Sequence, residues 1–256
     1  MRHEGENEVT LAELRARIRR LEAGGAAEGG RAVWPLGAAA LDAALPGGGL
    51  ARAAVHEVLP ARTEADDGPA AGFALAVLGR LMRQVSGPLL WIARRQDLYP
   101  PALGGFGVDP ARLLLARAGD DAAALWSMEE ALRCPAVAAA VAEVNGFDRT
   151  AARRLQLAAE AGGVTGLLLL RRHVAPRGRQ DPSAAQTRWR IGALPSRDGG
   201  IAGLPGKPRW RVELLRARGG VPGDFEVEWD DATADFTLAA PFRDGAAATG
   251  KRARSG

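Results

Sequence analysis

Apolar residues in this chain repeat with two periods, and the switches between them divide it into elements. Residues 10–23, TLAELRARIRRLEA, set Leu11, Leu14, Ile18 and Leu21 at helical spacing, with Thr10 and Glu13 spaced as a capping box. The pattern predicts an amphipathic helix. The GGAAEGG that follows (24–30) predicts a flexible linker. A short helix on a tether cannot bury its stripe alone, so it must dock on the rest of the chain or on another chain.

Further on, helical and strand-like runs alternate. A short helix over 38–45 ends at Pro46 and three glycines. Strands are predicted over 52–58, 88–93, 112–118, 136–144 and 164–172, and helices over 68–87, 121–134 and 148–163. This alternation predicts an α/β fold, a mostly parallel sheet with helices on both faces. The later β-like runs, 188–194, 209–217, 225–229 and 236–240, have no helix between them and predict antiparallel strands at the C-terminal side of the sheet. The division is then 1–31 (N-terminal helix and linker), 32–242 (the α/β domain) and 243–256, a Gly/Ala-rich basic tail expected to be disordered.

Composition narrows the class. At 256 residues and 47% apolar the chain can bury a real core, and its lone Cys134 excludes an internal disulfide. The longest apolar runs, such as 164–170, fall well short of the roughly 20 residues that span a bilayer. The polar, acidic start MRHEGENEVT has no signal-peptide core. These features predict a cytoplasmic protein without a membrane partner. The net charge of +4 is unevenly spread. Residues 171–220 hold twelve basic and three acidic residues, a balance of +9, whereas 221–240 hold six acids and no base. That asymmetry predicts a basic patch.

The stretch EADDGPAAGFALAV (64–77) lies where a phosphate-cradling loop would be, between a strand and an apolar helix. A working loop needs glycines, a lysine for the phosphates and a Ser or Thr for Mg²⁺. Here Gly68 and Gly72 stand without a lysine, Phe73 takes its approximate place, and Asp66 and Asp67 would repel phosphate. The only lysines are Lys207 and Lys251. Lys251 completes a G-x-x-x-x-G-K spacing in the tail, with no strand before it and Arg252 after it, which reads as a chance match. No catalytic residue, metal site or cofactor is predicted. His56 reads as structural, Cys134 ends a helix, and Glu143 reads as an ordinary acid at a strand end.

The order of pieces resembles the RecA family. PLGAAALDAALPGGGLARAAVHEV (35–58) is similar to the segment leading into that family's first core strand. More specifically, GVDPARLLLARA and ALWSMEEALRCPAVAAAVAEV resemble the ImuA family, the RecA-like proteins of the bacterial ImuA–ImuB translesion mutagenesis cassette. The resemblance covers roughly residues 32 to 240. It implies a degenerate RecA-like domain and a non-catalytic adaptor in damage-induced mutagenesis. The implied partners are an ImuB-like inactive Y-family polymerase and an error-prone replicative-type polymerase, with single-stranded DNA and RecA as further partners. A SulA-like inhibitor of cell division and a RecA-like ATPase or recombinase remain alternatives. Against the ATPase stand the missing lysine and Arg95, which falls where the family's water-activating glutamate would be; an arginine keeps its proton and cannot be a general base. The short NGFDRT leaves no room for a long first DNA loop, while RRHVAPRGRQDPSAAQTRWR (171–190) holds the position of the second.

In that segment Arg171, Arg172, Arg177, Arg179, Arg188 and Arg190 could hold phosphates, and Trp189, with Trp210 further along the chain, could stack on bases. An acidic protein partner is the second reading. A solvated loop beside half-buried strands with both tryptophans facing the core is the third.

Overall fold

The computed structural model describes residues 32–62, 64–95, 97–171, 183–196 and 206–238. The N-terminal helix, with Leu11, Leu14, Ile18 and Leu21, and the tail from 243 lie outside the described residues, as do Arg172, Arg177 and Arg179.

Short apolar runs punctuated by Gly and Pro become strands because extended β-rich segments cannot satisfy their backbone groups alone. A small ribbon pairs β1 (Val33–Trp34) with β2 (Leu50–Ala51), flanking the helix α1 (Ala39–Ala44). The main chain of elements runs β3 (Val55–Pro60), α2 (Asp67–Met82), β4 (Leu89–Ala93), β5 (Leu113–Arg117) and α3 (Asp121–Arg133). It continues through β6 (Ala139–Val144), α4 (Arg149–Gly162), β7 (Thr165–Leu170), β8 (Thr187–Leu194), β9 (Arg209–Ala217), β10 (Gly223–Asp230) and β11 (Asp235–Leu238). All strands from β3 onward form one nine-stranded sheet in the order β11-β10-β9-β8-β3-β7-β6-β4-β5. The six from β8 to β5 are parallel, and β8 to β11 form an antiparallel meander.

In the parallel half the helices cover both faces. α3 and α4 lay Met128, Leu132, Leu155 and Ala158 on Ile92, Ala140, Ala142 and Leu168. The opposite face of the same strands, including Trp91, Val141 and Leu169, packs on α2. Strand alternation explains the split, since successive residues of β6 and β7 serve opposite cores. α2 is buried on most of its surface, because the loop around Phe106 covers its outer side. A Cβ on Gly79 would lie 1.8 Å from the Phe106 carbonyl oxygen, so the approach requires glycine.

α2 stops at Met82, five residues before the end that periodicity predicts. Arg112, far along the chain, explains it: its guanidinium donates to the carbonyls of Met82 (2.8 Å), Val85 (2.6 Å) and Gly87 (2.8 Å). Those acceptors would otherwise be the orphan groups of a helix end and the turn after it.

The antiparallel half is one-sided. Its inner face carries Trp189, Trp210, Trp229 and Phe236, all buried, around Phe73 of α2. Phe73 lies 5.7 Å from both Trp189 and Phe236, ring centre to ring centre, and 6.3 Å from Trp210. The outer face is a charge ladder. Arg190 pairs with Glu213 (3.1 Å), Arg209 with Glu226 (3.4 Å), Lys207 with Asp230 (2.7 Å), and Arg211 with Asp224.

Candidate functional site

The turn between β3 and α2 occupies the place of a phosphate loop, and a carboxylate fills it. Asp66, 4% exposed, accepts the Arg62 backbone N–H at 2.9 Å and the Ala193 N–H of β8 at 2.8 Å. Where a phosphate loop turns its amides toward a bound anion, this one turns an amide toward its own side chain. The approximate placement of Phe73 at the lysine position is corrected. α2 begins at Asp67, which puts Phe73 more than a turn and a half downstream, facing the aromatic core. Gly68 is in the first turn and lines the crevice described below. Gly72 faces the other way, with room for little beside Trp210.

In parallel α/β sheets a crevice opens beyond the carboxyl ends of the strands. Here it measures about 960 Å³ and is walled by the start of α2 and the ends of β4 to β7. Glu143, at the end of β6 and 6% exposed, accepts from Trp91 Nε1 and from Arg171 Nε, both at 2.7 Å. One donor meets each oxygen, so the carboxylate is held in place. Asp97 adds a second acid 3.7 Å from Arg171. Burial opposes the Arg171 charge, but the Glu143 hydrogen bond and the charges of Glu143, Asp97 and Asp67 outweigh it and hold its pKa above the ordinary range. Arg94, Arg95 and Arg117 line the same crevice. Arg95, the second residue after β4, has a side chain 84% exposed and lies 3.9 Å from Asp97. Among the described residues no carboxylate forms a salt bridge with Arg94 or Arg117.

The predicted binding residues therefore part company. Arg171 belongs to the crevice and is clamped by acids. Arg188 is nearly buried, its Nε 3.4 Å from Oε2 of the fully buried Glu57, which also accepts from Ser183 Oγ. Arg190 belongs to the ladder. Trp189 is 1% exposed and donates to Thr187 Oγ1 at 2.7 Å. A base cannot stack on it, nor on Trp210, which is 4% exposed. The expectation of base stacking is thus replaced by the reading with both rings in the core. The expected basic patch is corrected too, where the structure describes it: the basic β9 neighbours the acidic β10, and their charges pair across the strands. His56 is buried between Thr187 Oγ1 (2.8 Å from Nδ1) and the Ala51 carbonyl (2.9 Å from Nε2), a structural position. No three His, Cys, Asp or Glu side chains among the described residues converge to hold a metal. Sequence reasoning missed Arg94 and Arg117. The signal available was their position, at the carboxyl ends of two successive parallel strands.

No family model matches the chain. Protein ImuA of Caulobacter vibrioides strain NA1000 / CB15N is 42% identical over 210 residues, which cover 78% of this chain and 84% of that protein. The chain belongs to the ImuA family. Protein ImuA of strain ATCC 19089 / CIP 103742 / CB 15 matches to the same extent. Among solved structures, the crystal structure of the RadB recombinase superposes with a TM-score of 0.55 at 14% identity, covering 81% of this chain and 100% of that one. The superposition shows a RecA-like α/β fold. The alternation of strands and helices predicts the α/β class, and the family resemblance predicts the RecA-like form. Among the described residues of this ImuA-family chain no helix is long and apolar enough to cross a membrane.

Proposed function

We propose that this chain serves the ImuA–ImuB mutagenesis system as a non-catalytic adaptor. It would join an ImuB-like inactive relative of lesion-bypass polymerases to an error-prone replicative-type polymerase, with the polymerisation chemistry left to its partners. Family membership supports the system. The observation that carries the non-catalytic part is the Asp66 turn. A carboxylate already accepts the loop amide of Arg62, and no lysine stands at the start of α2 to reach a phosphate. Arg95 after β4 supplies no base for water.

The test has two arms. Deletion of the gene should abolish damage-induced mutation, and the tagged chain should co-purify with the ImuB-like protein from DNA-damaged cells. Undiminished damage-induced mutation after the deletion, or failure to recover the ImuB-like protein, would overturn the adaptor reading. Saturable ATP binding in calorimetry, followed by hydrolysis above background, would overturn the non-catalytic one.

A further inference from the structure

The crevice at the carboxyl ends of β4 to β7 is lined by four arginines and three acids. The acids gather on one of those arginines. Glu143 and Asp97 pair with Arg171, and the charge of Asp67 acts on it as well. Arg95 meets Asp97 at 3.9 Å, and Arg171 claims that acid too, at 3.7 Å. Arg94 and Arg117 are exposed and form no salt bridge among the described residues. They come from neighbouring strands: Arg117 ends β5 in register with Ala93, the last residue of β4, and Arg94 follows Ala93. Positive charge is thus left over at one side of the crevice, and a cleft with a surplus of one sign concentrates the opposite one. Beside it stand Leu98 and Tyr99, the ring of Tyr99 69% exposed.

We propose that this crevice binds an acidic peptide segment of a partner protein, with carboxylates on Arg94, Arg95 and Arg117 and an apolar side chain against Leu98 and Tyr99. Arginine clusters recognise acidic motifs because the forked guanidinium matches a carboxylate. The same crevice suits phosphate poorly. Its acids would repel a chain of phosphates, and Asp66 already holds the Arg62 amide of the adjoining turn. A peptide carries single charges set apart by its backbone, so it can place them on the free arginines and keep clear of Glu143 and Asp67. At about 960 Å³ the crevice has the size of a ligand site rather than of a single ion. Tyr99 offers an apolar ring with a polar tip, suited to a side chain at the rim. Such binding needs only the crevice and does not depend on the adaptor role.

The full chain is titrated against a fluorescein-labelled octapeptide in which glutamates alternate with serines before a closing phenylalanine. The same peptide with glutamines in place of the glutamates is the comparison. The glutamate peptide should bind saturably, slow amide exchange at residues 97–99 and 117–119, and lose at least about tenfold in affinity with Arg117→Glu and, separately, with Arg94→Glu. Arg153→Glu makes the same change in net charge on the exposed side of α4 and should leave binding unchanged. Equal binding of the glutamine peptide, no binding of either, or an equal loss with Arg153→Glu would overturn the proposal. Tighter binding of a thymidine octanucleotide, lost with the same two arginines, would overturn it in favour of nucleic acid. A tenfold gain in peptide affinity on deleting residues 1–9 would overturn it too, since the chain's own Glu4, Glu6 and Glu8 would then be the occupants.

Discussion

The two halves of the sheet use arginine in opposite ways. In the antiparallel half, from β8 to β11, the outer face carries Arg190 and Arg211, which reach water, and the buried Arg209, each paired with an acid on the neighbouring strand. They hold register and solubility. In the parallel half helices pack on both faces of the inner strands, and the charges of the crevice stand where the strands end. There Arg171 is locked by Glu143, while Arg94 and Arg117 have no ion pair among the described residues. A run of arginines in a β-meander therefore says little about a ligand, and a single one at the end of a parallel strand says more. The seam between the halves is α2, whose Phe73 reaches the tryptophans of the meander, together with Asp66, which ties the turn after β3 to β8.

Breaking the seam should cost most. Phe73→Ala empties the centre of the aromatic cluster and should destabilise the chain by about 3–5 kcal/mol in urea unfolding. A loss below about 1 kcal/mol would mean that the halves do not share a core. Asp66→Ala leaves two amides without their acceptor and should cost about 2–3 kcal/mol in the same experiment. If stability were unchanged, the carboxylate would not be the stopper of the turn. In the ladder, Arg211→Ala removes an exposed pair. It should lower the unfolding midpoint slightly in dilute buffer and leave no difference at about 1 M salt. A salt-independent loss would show that the ladder does more than pair charges at the surface.

The smallest effect concerns acid. The hydrogen bond from Lys207 holds the Asp230 carboxyl below its ordinary pKa. A carboxyl depressed on folding adds stability above its unfolded pKa and loses it as pH falls through the folded value. Asp230→Asn should therefore fall slightly short of the parent near neutrality and converge with it below about pH 4. A gap that persists in acid would exclude this pair as its source.

Much of the fold was legible because the signals were local. The ranges predicted for β4, α3, α4 and β9 come within a few residues of those observed, since each rests on its own periodicity and turn residues. The end of α2 was not, because its cap comes from Arg112 on the far side of a long loop. For the candidate site, sequence located the turn after β3 and its missing lysine. It did not show that Asp66 faces Ala193, some 127 positions away. The arginines from 171 to 190 were visible as charge, but which ones face acids depended on strand pairing.

By itself the sequence determined the alternation of strands and helices, the resemblance to RecA-like proteins and the absence of a phosphate-loop lysine. Each is a matter of spacing or of residue type, which the chain carries along its length. Only the tertiary structure decided that Trp189 is core, that Arg188 serves the buried Glu57, and that Arg94 and Arg117 line one crevice. Those depend on which strands are neighbours, and neighbours are chosen by the burial of both faces of the sheet, a property of the whole domain.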